Sequence, residues 1–206
     1  MSDHGHDEGH DHDHGHAHDH DHDHDEGHDH DHDHDHDHDH DHHHHHDVET
    51  LGAGILTVSS SRTLDDDPAG DAIAAAFEAE GHEVVTRELV PDDYDRVQAT
   101  LRNVARRGDV DAVVSTGGTG VTPDDVTVEA ASPLFEKTLP GFGELFRRLS
   151  YDEIGTRIVG TRAVAGVVEG VPVFCLPGSE NAARLGAEAV IVPEAGHLSG
   201  LATRDE

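Results

Sequence analysis

Short apolar runs alternate with helix-like stretches through most of the chain, and this alternation limits the fold more than any other feature. Strand-like runs occur at 51–59, 82–89 and 110–116. The stretches between them, 68–81 and 91–108, each have a proline near the start and a glycine at the end, as many helices do. Strands that alternate with helices indicate parallel strands joined by crossover helices. The sequence therefore predicts a three-layer α/β fold, with a mostly parallel sheet and helices on both faces.

The second half of the chain continues this pattern less regularly. Two short helices are predicted at 124–137, with a break at Pro133, and at 141–155. Residues 163–179 predict a hairpin-like pair of strands with a glycine near the turn. A last helix is predicted to begin within 179–198, but the pattern does not define where it ends.

Residues 1–47 differ in kind from the rest of the chain. They hold 22 of the 24 histidines and 18 of the 45 acidic residues, and they contain no Lys, Arg, Leu, Ile, Val or aromatic residue. Such a segment buries too little apolar surface to offset the entropy of ordering, so we expect it to be disordered. Residues 48–206 have a length that suits one domain with a single core.

The alternating His and Asp residues of this N-terminal tail indicate metal binding. Imidazole is a common ligand for Zn, Ni, Co and Cu, and carboxylates can complete their coordination. A tail of low selectivity is one interpretation, and a solvated polyanionic segment without a dedicated role is the other. The candidate ligands are His32, His34, His36, His38, His40, His42, His43, His44, His45 and His46.

The chain carries a formal charge of −32, and its single lysine, Lys137, stands against many arginines and acids. This composition is typical either of a protein adapted to high salt or of an ordinary acidic soluble protein. No basic patch exists, so nucleic acid is not an expected partner. The sequence shows no signal-peptide pattern or long apolar run, which predicts a cytoplasmic protein without membrane contact. The lone Cys175 is expected in the core.

Three polar, glycine-containing loops follow predicted strands, at 59–70, 115–125 and 176–182. In open α/β sheets, ligands collect at the carboxyl ends of the strands, so these loops are candidates for one shared site. The loop STGGTGVTPDD fits neither the P-loop nor the dinucleotide-binding pattern. Its glycines let backbone N–H groups approach an anion, although an ordinary glycine-rich turn is the alternative. The predicted phosphate-binding residues are Thr116, Gly117, Gly118, Thr119 and Gly120.

Carboxylates stand beside this predicted anion site. Asp124 and Asp125 follow the glycines, and residues 65–67 are all aspartate. Acids next to phosphate oxygens require a cation between them, and Mg²⁺ takes one or two carboxylates together with phosphates. Residues 65–67 could instead cap the helix that follows.

Cations and donors complete the candidate set. Arg62 and Arg162 could each bind phosphate in a bidentate manner or form an ordinary surface ion pair. The segment Leu-Pro-Gly-Ser at 176–179 offers either an anion site at a helix start or a simple cap. His82 and His197 have no metal-ligand spacing, and we predict no catalytic role for them.

The order of several motifs resembles the MoaB/Mog family of molybdenum cofactor biosynthesis. The resemblance rests on ILTVSSSR, DDDPAG, STGGTGVTPDDVTVEA, LPGFGELFRRLSYDEIGTR, TRAVAG and LPGSENA, and it covers residues 54–192. The segments GFGELFRRLSYDEIGT and RAVAGV are most similar to the MoaB branch. The resemblance implies a three-layer α/β fold in a homotrimer or a hexamer.

The resemblance also implies an activity, adenylylation of molybdopterin by Mg-ATP with release of pyrophosphate. It implies that Asp67 and Asp125 are catalytic and hold Mg²⁺, and that the 116–120 loop contacts phosphate. A partner protein that inserts molybdenum is a further expectation. The residues expected to bind substrate are Ser59, Arg62, Arg162, Pro177, Gly178 and Ser179.

Three positions depart from the family pattern. Ser60 stands where the family usually has Asp or Asn, Ala69 stands where it has Ser, and Thr161 replaces Ser. The alternatives to the enzyme are a molybdopterin-binding carrier without catalysis, and an oligomeric scaffold for the metal-binding tail.

Overall fold

The computed structural model describes residues 48–203. The prediction of a disordered, metal-binding tail at 1–47 lies outside the described residues and stays a prediction. None of the helices within 48–203 is both long and apolar enough to cross a membrane.

Six strands and six α-helices make up this part of the chain. The strands are β1 (Gly52–Val58), β2 (Glu83–Val90), β3 (Ala112–Thr116), β4 (Lys137–Thr138), β5 (Val164–Val168) and β6 (Val171–Leu176). The helices are α1 (Pro68–Ala79), α2 (Tyr94–Ala105), α3 (Thr127–Ala131), α4 (Pro140–Ile154), α5 (Glu180–Gly186) and α6 (Val192–Ala202). A 3-10 helix, Gly155–Gly160, extends α4, and a π-helical turn, Ala187–Ile191, joins α5 to α6.

The strands form one mixed sheet in the order β2-β1-β3-β6-β5-β4. The four strands from β2 to β6 in this order are parallel, whereas β5 and β4 run antiparallel to their neighbours. The predicted hairpin is confirmed, because Val168 pairs with Val171 across a turn that contains Glu169 and Gly170. Both turn residues have positive φ, as tight hairpin turns require.

Two apolar clusters, one on each face of the sheet, confirm the three-layer prediction. One cluster joins the sheet to α1, α4, α5 and α6, and it contains Phe77, Phe146 and Phe174. The other joins the sheet to α2 and α3 and contains Leu101 and Val104. Because both faces are covered, the central strands are buried along their length, as the continuous apolar runs of the sequence indicate.

One predicted helix is shorter than the sequence indicated. The helical pattern at 124–137 yields only α3, followed by a 3-10 turn, Ser132–Leu134, and by β4. Pro133 lies in the first turn of this 3-10 segment, where its missing N–H costs nothing. The helix predicted at 141–155 is confirmed as α4, and the last helix continues through α5, the π turn and α6.

The loops after β1, β3 and β6 leave the same edge of the sheet, because these three strands are adjacent and parallel. Their positions are further fixed by hydrogen bonds between the loops. Gly117 N–H donates to the Leu176 carbonyl at 3.0 Å, and Thr116 Oγ1 donates to the Pro177 carbonyl at 2.9 Å. The β3 and β6 loops are therefore joined side by side.

Candidate functional site

A cleft of about 540 Å³ lies where the three strand-end loops meet. The loops after β1, β3 and β6 supply most of one side, and α4 with its 3-10 extension supplies the other. The lining residues that the sequence predicted are Ser59, Arg62, Thr116, Gly117, Gly118, Thr119, Gly120, Asp125, Pro177, Gly178 and Ser179.

The glycines after β3 are required by the backbone of this loop. Gly117 has φ of +101°, and a Cβ placed there would lie 2.2 Å from the carbonyl oxygen of Val58. Gly118 has φ of +64°, and its Cβ would lie 2.3 Å from Thr127 Oγ1. Both the conformation and the close approach exclude larger side chains. The loop thus passes tightly between the end of β1 and the start of α3.

Four residues that line the cleft each carry a buried polar atom without a hydrogen-bond partner among residues 48–203. These atoms are Arg62 Nη1, Thr119 Oγ1, Ser150 Oγ and Thr161 Oγ1. Buried polar groups are almost always paired, because an unpaired one loses its hydration without compensation. Four such groups around one cleft indicate that a ligand or ordered water supplies the missing partners. All four can donate, which favours a ligand rich in acceptor oxygens.

Asp125 is the carboxylate that borders the cleft. Thr122 donates to its Oδ2 twice, from the backbone N–H at 2.8 Å and from Oγ1 at 2.7 Å. Partial burial acts to raise the pKa of the Asp125 carboxyl, but hydrogen bonds from Thr122 and Gly120 and the charge of Arg162 outweigh it. The pKa therefore falls below its ordinary value, and Asp125 is ionised at neutral pH.

Asp67 has a different environment, because it is only 1% exposed and lies outside the cleft lining. Its Oδ1 accepts from Gly70 N–H at 3.0 Å, which caps α1, and its Oδ2 accepts from Thr57 Oγ1 at 2.6 Å. Arg87 Nη2 lies 3.3 Å from Oδ2, and Arg62 Nη1 lies 3.8 Å from Oδ1. Protein donors therefore occupy both oxygens of this carboxylate.

Arg162 does not line the cleft but binds the back of the β3 loop. Its Nε donates to the Gly120 carbonyl at 2.6 Å, and its Nη2 donates to the Asp125 carbonyl at 3.0 Å. The guanidinium also forms an ion pair with Glu129 on α3, and this contact lowers the pKa of the Glu129 carboxyl despite the opposing effect of burial. Arg162 thus holds the loop that carries Asp125.

Arg62 connects the β1 loop to the β6 loop. Its Nη2 donates to the Gly178 carbonyl at 3.2 Å, and Ser59 Oγ accepts from the Arg62 N–H at 3.2 Å. Ser179 caps α5 by accepting from Ala182 N–H. Arg62 and Ser179 therefore have structural contacts as well as positions in the cleft lining.

The wall formed by α4 and its extension was not among the predicted site residues. It consists of Phe146, Ser150, Ile154, Arg157, Ile158, Gly160 and Thr161. The segment LSYDEIGTR carries no glycine loop, carboxylate pair or metal-ligand spacing, so only the resemblance to a family marked it. The exposed apolar side chain of Ile154 at the cleft is a signal that becomes visible only in the structure.

The remaining predicted positions lie apart from the cleft or beneath it. His82 Nδ1 accepts from Leu51 N–H at 3.3 Å, and burial raises the pKa of the Cys175 thiol to about 11. Ala69 is among the residues that line the cleft, and Ser60 hydrogen bonds with Asp92.

Within residues 48–203, no group of three or more His, Cys, Asp or Glu side chains could hold a metal ion by itself.

Comparisons with known proteins agree with this geometry. Residues 54–197 match the family described as "Probable molybdopterin binding domain". The chain is 43% identical over 151 residues to molybdenum cofactor biosynthesis protein B of Halalkalibacterium halodurans, covering 73% of this chain and 89% of that protein.

Two solved structures have the same fold. A crystal structure of molybdenum cofactor biosynthesis protein B superposes with a TM-score of 0.73 at 38% identity, covering 77% of this chain and 99% of that one. The tungsten cofactor synthesizing protein MoaB from Pyrococcus furiosus gives a TM-score of 0.68 at 39% identity, with coverages of 76% and 99%. The similarity to these relatives extends over most of the described domain, and the chain belongs to the MoaB/Mog family of molybdenum cofactor biosynthesis proteins.

Proposed function

We propose that this protein acts in molybdenum cofactor biosynthesis by adenylylating molybdopterin with Mg-ATP. In this reaction the terminal phosphate of molybdopterin attacks the α-phosphate of ATP. A new phosphoanhydride bond forms, and pyrophosphate leaves as the bond between the α and β phosphates breaks. The observation that carries the proposal is the set of unpartnered buried donors around one cleft. Phosphate oxygens are acceptors of the kind that these donors lack.

The chain's own residues would act mainly by positioning and by neutralising charge. The backbone of Gly117–Gly120 can approach phosphate closely, because the loop has no side chains at its glycines. Thr119 and Arg62, which line the cleft, can donate to phosphate oxygens. In phosphoryl-type transfers, such fixed donors account for much of the rate acceleration.

The carboxylates fit Mg²⁺ unequally. Asp125 borders the cleft, and the two hydrogen bonds from Thr122 both go to Oδ2, not to Oδ1. Asp67 is enclosed by donors and by two arginines. We therefore assign the contact with Mg²⁺ to Asp125, and we assign to Asp67 the positioning of Arg62 and of the start of α1. When bound with ATP, Mg²⁺ would neutralise phosphate charge.

Ala69 supports a second candidate function. It lies on the cleft floor and is almost fully buried, so it offers no hydroxyl at the position where the family pattern has Ser. A cleft without this donor could bind molybdopterin and pass it on without using ATP. The second candidate is therefore a molybdopterin carrier.

We further propose that the chain assembles as a trimer or hexamer, as the resemblance implies. The exposed apolar side chains near the cleft support this proposal, since Val121 is 75% and Val159 85% exposed. Contacts between subunits commonly cover exposed apolar side chains of this kind. Sedimentation of the full chain in high salt would measure the assembly, and a monomer would contradict it.

The test of the proposed function is pyrophosphate release from ATP, Mg²⁺ and molybdopterin in high salt. We expect release to require molybdopterin and to fall at least ~100-fold in Asp125→Ala, which removes the cleft carboxylate. Asp124→Ala is the matched control, because Asp124 is exposed and does not line the cleft. Tight molybdopterin binding by the wild type without any pyrophosphate release would replace the enzyme with the carrier.

A further inference from the structure

Arg157, an arginine of the α4 wall, has no side-chain partner among residues 48–203. It lies in the 3-10 helix after α4, is exposed, and lines the cleft. Within residues 48–203 it forms no ion pair and no hydrogen bond from its side chain. Arg62 is the other arginine among the described lining residues.

Acids are abundant in this chain, which has a formal charge of −32, so carboxylate partners for arginine are common. Six other arginines each lie within 4 Å of a carboxylate: Arg62, Arg87, Arg106, Arg107, Arg162 and Arg184. Within the described range, Arg96, Arg102, Arg147 and Arg148 likewise form no ion pair, but none of them lines the cleft. Arg157 therefore combines a free guanidinium with a position at the cleft.

The charge of the cleft lining differs in sign from that of the whole chain. Among the described lining residues, Arg62 and Arg157 are cationic and Asp125 is the anionic one. Arg162, the second cation that the sequence predicted for substrate, is paired with Glu129 behind the loop. Arg157 is thus the residue that supplies the second positive charge.

The residues around Arg157 suit a group of the ligand other than the one that the glycine loop would bind. Its wall carries the exposed Ile154 together with the unpartnered hydroxyls of Ser150 and Thr161. These residues belong to α4 and its extension, whereas the glycine loop follows β3. The cleft therefore has hydrogen-bond donors on two separate elements, the glycine loop after β3 and the wall formed by α4 and its extension.

We propose that Arg157 is a specificity-determining residue that binds a second phosphate-bearing group in the cleft, apart from the group held by the glycine loop. The inference rests on the proposed function, because a transfer between two phosphorylated reactants needs two anion-binding positions. Both candidate ligands, ATP and molybdopterin, present phosphate oxygens to the arginine. A planar guanidinium suits either source.

The experiment is equilibrium binding to the full chain at about 1 M KCl, where the Debye length is about 3 Å and distant charges are screened. The probes are Mg-ATP, inorganic pyrophosphate and molybdopterin. The variants are Arg157→Gln, Arg157→Lys, the control Arg148→Gln and Arg62→Gln. The two arginines compared, Arg157 and Arg148, are both exposed and unpaired within 48–203, so their loss should affect folding equally little.

We expect Arg157→Gln to raise the Kd of at least one phosphorylated probe about tenfold or more, as the loss of a charged hydrogen bond does. Arg148→Gln should change this Kd less than about twofold. Arg157→Lys should recover part of the affinity that Arg157→Gln loses. An effect confined to Mg-ATP identifies the nucleotide as the source, and an effect confined to molybdopterin identifies the pterin phosphate.

Two outcomes would overturn the inference in distinguishable ways. If the wild type binds the probes and Arg157→Gln behaves like Arg148→Gln, the inference fails while the proposed function stands. The Arg62→Gln variant then shows whether the cleft is still the binding site. If the wild type binds none of the three probes, the proposed function fails and takes this inference with it.

Discussion

The loops after β1 and β3 both end in aspartates, but the structure uses the two carboxylates in opposite ways. Asp67, at the end of the β1 loop, is enclosed by Thr57, Gly70 and two arginines. Asp125, at the end of the β3 loop, borders the cleft, and Thr122 within its own loop is its side-chain donor. The first carboxylate is part of the interior, and the second is available to a ligand.

The arginines show the same division. Arg87 is bound to Asp67 and Asp71, and Arg162 is bound to Glu129 and to the carbonyls of the β3 loop. Arg157 has no such contacts among residues 48–203. Residue type and proximity to a glycine loop therefore do not show whether a charged side chain is available to a ligand. The number of protein partners that already satisfy it is the better indicator.

The largest effect on stability is expected for Asp67→Ala. This change leaves Arg87 and the buried part of Arg62 without their shared carboxylate, and it removes the cap of α1. The loss of the helix cap and of the charged contacts of this buried carboxylate should cost about 2–4 kcal/mol in the free energy of unfolding. Denaturant unfolding at constant salt would measure the loss.

Asp71→Ala provides the control for this variant. Asp71 also pairs with Arg87, but its side chain is 63% exposed. An exposed pair contributes about 1 kcal/mol or less. Equal losses for the two variants would contradict the assignment of Asp67 to the interior.

A smaller loss of stability is expected for Gly117→Ala in the β3 loop. The new Cβ would meet the Val58 carbonyl, and the backbone has positive φ, so we expect a cost of about 2–3 kcal/mol. The variant should also weaken binding of pyrophosphate, because the loop must move away from β1. Gly108→Ala is the control, since a Cβ there meets nothing within 4 Å. Wild-type stability and binding in Gly117→Ala would show that the loop does not need its glycine.

The smallest effect is an acid-dependent weakening of the β3 loop. The pKa of Glu129 is lowered by its hydrogen bond with Arg162, and the pKa of Asp125 is lowered by Thr122 despite burial. A lowered folded-state pKa contributes stability that is present above the unfolded value and is lost as pH falls through the folded value. We therefore expect stability to decline below about pH 4.5, the ordinary value for Glu.

Comparison of variants separates this effect from that of the many other acids. Glu129→Gln and Thr122→Val should each make the unfolding free energy depend less on pH than it does in the wild type. Unfolding series between about pH 3 and pH 7 would measure the slopes. If the unfolding free energy of both variants changes with pH as steeply as that of the wild type, these contacts do not contribute to the pH dependence.

Much of the fold was predictable because the signals were local. The apolar runs that became β1, β3 and β6 are continuous, as strands buried on both faces require. Proline and glycine marked the ends of α1 and the turn between β5 and β6. The length of α3 was not predictable, because its helical pattern continues beyond the point where the chain turns to pair β4 with β5.

The cleft was predictable where a loop follows a parallel strand, but not the place of every residue in these loops, since Asp67 lies outside the cleft lining. The residues of the β3 and β6 loops lie at the cleft as predicted, since adjacent parallel strands bring their ends together. Arg162 was predicted as a substrate ligand, and its contact with the loop shows only in the structure, in its hydrogen bonds to the Gly120 and Asp125 carbonyls. Ser150 and Arg157 carry no motif and reach the cleft through the packing of α4.

Transfer of isotopic label is the measurement that tests the proposed reaction most directly, because pyrophosphate release alone could come from hydrolysis of ATP. ATP labelled at the α-phosphate is incubated with Mg²⁺, molybdopterin and the full chain in high salt. We predict that the label appears in the pterin product, and that label placed at the γ-phosphate appears only in pyrophosphate. Molybdopterin that binds tightly but gains no α-label would contradict the adenylyl transfer proposed for this cleft.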